Sequence, residues 1–167
     1  TQLAGDEEMR VATEQGFAFW HATGTLYSAP GMLLSGHLEE GLQLFEKGLE
    51  AYRATGAGLG LTYYLGILGE GFMQAGRFEQ ARRAFDHALE LVETNDERFQ
   101  EAELHRLYGE LHLRETKDEA AAAACFNRAI EIARGQKGRA WELRTTVSLA
   151  RLWYQQGRGH HAFTALT

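Results

Sequence analysis

The sequence contains a single cysteine, Cys125, and a single proline, Pro30. One cysteine cannot form an internal disulfide, which argues against the disulfide-stabilised classes of secreted protein and is consistent with a reducing compartment. No apolar run approaches the roughly 18 residues that a membrane-spanning helix needs, so we expect no membrane contact. We therefore predict a cytoplasmic protein.

Positive charge is also scarce, because 17 Lys and Arg residues stand against 23 Asp and Glu residues and the formal net charge is −6. This balance disfavours the phosphate backbone of a nucleic acid as a direct partner. The hydrophobic fraction is 44%, and good helix formers such as Ala, Leu, Glu, Gln and Arg are frequent. Such a composition is typical of a folded, helical protein.

Motifs for catalysis, metal binding and nucleotide binding are missing. The glycines of residues 54–60 have neither the spacing of a dinucleotide fingerprint nor the lysine of a P-loop. The seven histidines form no His-Glu-x-x-His motif. Paired carboxylates such as Glu39 and Glu40 lie near predicted helix starts, where they complement the helix dipole. We interpret Cys125 as a small buried residue beside Phe126, and we predict no enzymatic activity, metal site or cofactor.

The sequence does contain a pattern of small and aromatic residues that recurs at a nearly fixed interval. Small residues recur at intervals of about 40 residues, a period typical of arrays of helix pairs. They are Gly41, Ala81, Ala122 and Ala162, and phenylalanines recur with the same spacing at Phe45, Phe85 and Phe126. A unit of this length is too short to bury its own apolar face and must pack against its neighbours. We therefore predict an all-α, right-handed α-solenoid of antiparallel helix pairs.

We expect residues 1–167 to form one such array. Its expected parts are the second helix of a truncated repeat at 1–15, complete repeats at 17–54, 59–94 and 97–134, and an incomplete repeat at 139–167. The chain begins without a methionine and stops inside a repeat, which suggests a fragment of a longer protein. Apolar residues exposed at both ends of such a fragment are expected to favour a homo-oligomer.

The first helix of the 17–54 repeat contains an unusual pair, Pro30 and Gly31. Proline in a helix interior removes a backbone donor and clashes with the preceding turn. We therefore expect a kink or a break between residues 28 and 31. The expected packing face of this helix includes Trp20, Leu26, Tyr27 and Met32.

The pattern resembles the tetratricopeptide repeat, in which a large residue, Leu-Gly, an aromatic residue, Ala, Phe and Ala follow at set spacings. The central unit matches at Leu65, Leu68, Gly69, Phe72, Gly76, Ala81, Phe85 and Ala88. The last unit matches at Leu149, Ala150, Trp153, Gly157 and Ala162. The sequence departs from this family in its period, which is about 40 and not 34 residues, and in lacking the proline that ends each unit.

Several segments further resemble the C-terminal repeat regions of bacterial multidomain signalling proteins. These segments are EQGFAFW, AYRATGAGLG, ERFQEAELHRLYGELHL, ACFNRAIEIAR and WELRTTVSLARLWYQQG. In that group a class III nucleotide cyclase or a DNA-binding module precedes a P-loop ATPase and then the repeats. The resemblance implies a non-catalytic, regulatory or partner-binding region involved in signal transduction.

The candidate binding residues are those on the first helix of each repeat that are not needed for packing, since first helices line the concave side of such solenoids. They are Tyr63, Ile67, Glu70, Gln74, Arg106, Glu110, Arg114, Arg144, Arg151 and Tyr154. The arginines suit a peptide or protein segment that bears carboxylates, because a guanidinium group can bind a carboxylate through two hydrogen bonds. An ordinary solvated face is the alternative interpretation of these charges. A small-molecule effector site that controls a linked cyclase, ATPase or transcription-factor module is the alternative function.

Overall fold

The computed structural model describes residues 2–166, apart from the side chains of Gln15 and Leu166. The regular structure within residues 2–166 is entirely helical, as predicted. The α-helices are α1 (Gln2–Gln15), α2 (Ala18–Leu34), α3 (Leu38–Ala54), α4 (Leu61–Gln74), α5 (Phe78–Asn95), α6 (Glu101–Glu115), α7 (Glu119–Gly135), α8 (Arg139–Gln155) and α9 (Gly159–Leu166). A 3-10 turn at Arg98–Gln100 precedes α6. None of these helices combines the length and the apolar composition needed to cross a bilayer.

The chain divides into two compact units, Thr1–Ala81 (unit 1) and Arg82–Thr167 (unit 2), and the division falls inside α5. In unit 1, α1 packs against α2, α2 against α3, and α3 against α4. In unit 2, α6 packs against α7, α7 against α8, and α8 against α9. Two further contacts join first helices of successive pairs, α2 with α4 and α6 with α8. This is the predicted arrangement of paired helices.

The repeated phenylalanines belong to the buried core. Phe45, Phe85 and Phe126 are all 0% exposed. The recurring small residue lies one turn earlier and allows the partner helix to approach closely. At Gly41, for example, an added Cβ would lie 2.8 Å from the side chain of Leu33. The recurring interval in the sequence therefore reflects the packing of one helix pair.

First helices of the pairs end in a turn that places one residue in the left-handed region. Gly76 has φ 72°, and the N–H of Arg77 donates to the carbonyl of Phe72 at 2.8 Å. The corresponding left-handed residues after α2, α6 and α8 are Gly36, Lys117 and Gly157. After α6 the turn is one residue longer, because Asp118 N–H donates to the carbonyl of His112. This extra residue explains why the second interval between the phenylalanines is one residue longer than the first.

Two expectations for α2 are corrected by the structure. Of the kink or break expected at residues 28–31, a break is wrong, because the helix is continuous through Pro30. Trp20 and Tyr27 are 54% and 47% exposed, so of the residues expected to pack only Leu26 is fully buried. The packing face consists mainly of small residues such as Ala22 and Ala29, which are 0% exposed. Small side chains bring the neighbouring helices close and leave the bulky aromatic residues on the opposite face.

Candidate functional site

A buried ion pair on α6 lies where the first helices of unit 2 meet. Glu103 and Arg106 are each 6% exposed. Nε and Nη2 of Arg106 donate to the two carboxylate oxygens of Glu103, both at 2.8 Å. Arg144 on α8 approaches the same carboxylate at 3.2 Å. Because both partners are buried, this bidentate pair is far less screened by solvent than a surface ion pair.

The same contact surface continues along both helices. The hydroxyl of Ser148 donates to Glu110 at 2.8 Å, and Nη1 of Arg106 lies 3.3 Å from that carboxylate. We call the set formed by Glu103, Arg106, Glu110, Arg144 and Ser148 the polar ladder. Three of the predicted binding residues, Arg106, Glu110 and Arg144, are therefore brought together, but they bind their own neighbours. The ladder fixes α6 against α8.

Beyond the ladder, α8 and α9 enclose an open groove of about 590 Å³, the C-terminal groove. Its walls are largely apolar and include Val147, Ala150, Tyr154, Ala162 and Phe163. Arg151 also lines it. Tyr154 and Phe163 are 74% and 68% exposed, so much of the surface of two large rings on these walls is open to solvent. Two predicted binding residues, Arg151 and Tyr154, thus border one apolar depression.

One repeat earlier, the equivalent groove is filled by a helix. Tyr154 occupies the position that Leu113 holds in the preceding repeat, and Phe163 the position of Ala123. Leu113 and Ala123 pack against a buried cluster in which α8 supplies Leu149 and Leu152. The C-terminal groove therefore has the form of a surface on which a helix docks.

Two arginines lie at the open end of the ladder. Glu110 and Ser148 are hydrogen-bonded, and Arg114 and Arg151 follow them by four and three residues on their respective helices. Both arginines are exposed. Neither forms an ion pair with a side chain that the structure describes. These two predicted arginines could therefore pair with a carboxylate of a ligand.

The four predicted residues of unit 1 follow one face of α4. Tyr63 is 40% exposed and its ring centroid lies 5.6 Å from that of Tyr64. Ile67 and Glu70 are half-buried, and Gln74 is exposed. Their role in binding remains a prediction.

A connected set of rings lies beside this face. The Tyr52 ring is 5.6 Å from Phe19 and 5.4 Å from Tyr64. Burial raises the pKa of Tyr64, and a hydrogen bond with Tyr27 raises the pKa further. These rings link α2, α3 and α4. Unit 1 therefore presents an aromatic surface on α2, which the sequence prediction had assigned to packing.

The remaining titratable groups show no catalytic arrangement within residues 2–166. Burial raises the pKa of the Cys125 thiol, which favours the unreactive protonated form. Burial, together with nearby Arg128, lowers the pKa of His105. In the described part of the chain, no group of three or more His, Cys, Asp or Glu residues could hold a metal ion.

Sequence reasoning missed the apolar half of the C-terminal groove. The signal was present, because Phe163 replaces a residue that is alanine one repeat earlier, Ala123. A large ring at a position adapted to a small one cannot be enclosed by the same helix pair. Arg106, Glu110 and Arg144 were predicted to lie on one face, but which side chains they pair with depends on the neighbouring helix.

Comparison with known proteins agrees with this architecture. A family model described as the tetratricopeptide repeat matches residues 60–135. The crystal structure of BtubC (BKLC) from P. vanneervenii has a TM-score of 0.72 against this chain at 19% sequence identity. The match covers 89% of this chain and 61% of that protein, so the chain spans less than two thirds of its length. No curated protein sequence matches the chain.

These comparisons confirm the predicted fold class, an all-α solenoid like those of tetratricopeptide repeats. The family match supports a tetratricopeptide-repeat domain in this chain. Tetratricopeptide repeats commonly mediate protein–protein interaction, and the fold is typically that of a non-catalytic scaffold. The similarity to BtubC concerns the fold alone.

Proposed function

We propose that this chain is a non-catalytic repeat domain that binds a protein or peptide segment, and that unit 2 binds it in the C-terminal groove. The observation that carries the proposal is the open apolar groove between α8 and α9, with Tyr154 and Phe163 on its walls. Exposed apolar surfaces of this kind, bordered by polar residues, often mark interaction sites.

The repeat relationship indicates the conformation of the ligand. Because α8 fills the equivalent groove with Leu149 and Leu152, we expect the bound segment to be an amphipathic helix with two apolar residues in that spacing. Burying one such side chain contributes about 1.5–3 kcal/mol. The groove would therefore favour a helix with two apolar side chains on one face.

The charges indicate a second requirement. Arg151 occupies the position that Glu110 holds one repeat earlier, and Glu110 accepts a hydrogen bond from Ser148 of the docked helix α8. At the C-terminal groove the acceptor is replaced by a donor, so the bound helix should carry a carboxylate where α8 carries Ser148. Arg114 and Arg151 supply the complementary charge.

A synthetic helix can test this proposal directly. The probe is a peptide that copies residues 141–154 with glutamate in the position of Ser148, and its counterpart has glutamine there. We expect the glutamate peptide to bind about fivefold to tenfold more tightly, as a charge-assisted hydrogen bond would provide. Titration of the whole chain with each peptide in a calorimeter measures both dissociation constants.

Variants of the chain show which residues cause the preference for the glutamate peptide. Arg151→Gln should abolish the preference for the glutamate peptide. Tyr154→Ala should weaken the binding of both peptides. Arg128→Gln, at an exposed arginine on α7, is the matched control and should change neither constant. Equal affinity for the two peptides, or a glutamate preference that survives in Arg151→Gln, contradicts the proposed recognition.

A small-molecule effector is the second candidate function, and the size of the groove favours it. A volume of about 590 Å³ lies within the range of pockets that hold small ligands. A thermal-shift screen of metabolites distinguishes the two functions, because a bound effector stabilises the chain in proportion to its occupancy. An absence of any stabilising metabolite, together with binding of the glutamate peptide, supports the peptide function.

We further propose the wider setting suggested by the sequence resemblance. In this proposal the chain belongs to a larger, cytoplasmic bacterial signalling protein and regulates a linked cyclase, ATPase or transcription-factor module. The repeat boundaries predicted above and self-association of the chain are parts of the same proposal. Sedimentation over a range of concentrations tests self-association, which a strictly monomeric chain would contradict.

A further inference from the structure

The exposed face of α2 carries two large aromatic residues two helical turns apart. Trp20 and Tyr27 are 54% and 47% exposed. Seven residues of α-helix rise about 10.5 Å, so the two rings start from the same face at that separation. Thr23 and Gly24, which lie between them along the helix, are buried against α1.

A carboxylate reaches this face from the neighbouring helix. Oγ1 of Thr23 lies 2.5 Å from Oε1 of Glu8 and 3.0 Å from the carbonyl oxygen of Trp20. Thr23 follows Trp20 by three residues and precedes Tyr27 by four, so it lies on the same face of α2. The hydrogen bond therefore holds the Glu8 carboxylate over the stretch of α2 between the two aromatic residues.

The surroundings leave this carboxylate without a positive partner. Residues 1–81 contain 10 Asp and Glu residues against 4 Lys and Arg residues. The nearest arginine along α1, Arg10, forms ion pairs with Glu7 and Glu14. Among the side chains that the structure describes, Glu8 itself forms no ion pair. A cation from outside would find an unneutralised charge here.

We propose that Glu8, Trp20 and Tyr27 form a binding site for an arginine or lysine side chain of a partner protein. Aromatic faces attract a cation that lies over them, and a guanidinium group pairs well with a carboxylate. Thr23 acts as a positioning residue that orients Glu8. This site lies in unit 1, has a negative charge and binds a cationic side chain, whereas the C-terminal groove lies in unit 2, is bordered by arginines and binds a segment that bears a carboxylate.

Exposed rings next to the site extend the surface that a partner segment can cover. Phe17 is 54% exposed and Phe19 is 37% exposed. The Phe19 and Trp20 rings meet edge to face, with centroids 5.1 Å apart. We therefore expect a cationic residue flanked by apolar residues, and the surplus of acidic residues in unit 1 should attract such segments.

An NMR titration with two small probes tests the chemistry of the site. The probes are N-acetyl-Gly-Arg-Gly-amide and the same peptide with citrulline, which has the shape of arginine but no charge. The arginine peptide should shift the indole N–H signal of Trp20 and the amide signals of Thr23 and Tyr27. The citrulline peptide should bind about fivefold more weakly or worse, because the cation–π contribution requires the charge.

Variants connect the response to individual residues. Glu8→Gln retains an oxygen that accepts from Thr23 but removes the charge, and it should weaken the arginine peptide about fivefold to tenfold. Trp20→Leu should weaken it several-fold. Glu14→Gln, on the same helix but paired with Arg10, is the matched control and should leave binding unchanged.

Three results would overturn the proposal. They are equal shifts with the two peptides, undiminished binding in Glu8→Gln, and no shift at Trp20 with the arginine peptide. Comparison of the two probes on the unaltered chain is decisive even if a variant fails to fold. Arg151→Gln in unit 2 should leave this titration unchanged, so failure here and failure of the peptide-binding proposal are distinguishable.

Discussion

The two units share one helical period but differ in how their first helices meet. In unit 2 the contact between α6 and α8 is ionic, with Arg144 3.2 Å from the buried Glu103 carboxylate. In unit 1 the contact between α2 and α4 is apolar, since a Cβ added to Gly71 of α4 would lie 3.0 Å from the side chain of Leu33 on α2. The period thus constrains the spacing of the helices and leaves the chemistry of their contact open.

The same contrast extends to charge. Residues 1–81 hold 10 acidic and 4 basic side chains, whereas residues 82–167 hold 13 of each. The net charge of −6 therefore comes entirely from residues 1–81. Ion pairs of unit 1 such as Arg10 with Glu7 are exposed, while Glu103 and Arg106 in unit 2 are buried. We infer that only unit 2 depends on ionic contacts for its stability.

In unit 1, α1 and α2 meet closely at glycines and not at an ion pair. An added Cβ at Gly24 would lie 2.9 Å from the carbonyl oxygen of Gly5, so α1 and α2 are in backbone contact. Hydroxyl groups complete this interface, since Ser28 donates to Asp6 at 2.8 Å. Close approach of backbones and a buried ion pair are thus two ways of fixing a helix against its neighbour.

The sharpest test of this difference removes one carboxylate from each unit. Glu103→Gln leaves the buried Arg106 guanidinium without its bidentate partner, and we expect the free energy of unfolding to fall by about 3 kcal/mol. Glu7→Gln in unit 1 removes a partner from an exposed ion pair and should leave the free energy of unfolding unchanged within error. Urea denaturation measures both.

Double variants separate the ionic interaction from other effects of the substitution. Glu103→Gln combined with Arg106→Met should recover part of the lost stability, because no buried charge is then left unpaired. Equal losses for Glu103→Gln and Glu7→Gln would refute the claim that unit 2 alone depends on ionic contacts.

The architecture was predictable because it depends on intervals that are visible in the sequence. A small residue and a phenylalanine that recur together at a nearly constant interval are sufficient to place the buried positions Phe45, Phe85 and Phe126. The glycines that follow α2, α4 and α8 likewise indicated where those helices end. Such features are local, and each acts through its own helix pair.

The candidate site was harder to predict because burial depends on neighbouring helices. Arg106 and Arg151 both occupy the polar face of an amphipathic helix, yet Arg106 is buried by α8 and Arg151 is not. Trp20 was predicted to lie on the packing face of its helix, but it is 54% exposed and small residues such as Ala22 and Ala29 are buried instead. Sequence periodicity identifies a face, and only the tertiary contacts show whether that face is covered.

A smaller effect is expected at the turns that end the first helices. Unit 1 uses Gly76 with φ 72°, whereas unit 2 uses Lys117 with φ 59° after α6. A side chain in the left-handed region is unfavourable, so Lys117→Gly should stabilise the chain by about 0.5–1 kcal/mol. Gly76→Lys should destabilise it by a similar amount. Thermal denaturation of the two variants compares the turns, and a loss of stability in Lys117→Gly would show that its side chain contributes more than the strain costs.

The smallest expected effect is the pH dependence of the free energy of unfolding that arises from His105 in unit 2. Burial, with a contribution from Arg128, lowers the pKa of His105 below its ordinary value of 6.5, while Glu101 opposes this. The unfolded chain therefore binds a proton at a higher pH than the folded chain does. The free energy of unfolding should be constant above the unfolded pKa and decrease as the pH falls below about 6.5, until the folded group also protonates.

Urea denaturation of wild type and His105→Gln between neutral and mildly acidic pH measures the contribution of this residue. The glutamine variant should lose less stability on acidification than the wild type, because its side chain does not titrate. Arg128→Gln should show an intermediate dependence, since it removes the charge that disfavours protonation but not the burial. If His105→Gln and wild type lose stability in parallel, the acid sensitivity arises elsewhere, and the contrast between the units would then rest on the ionic contacts of Glu103 alone.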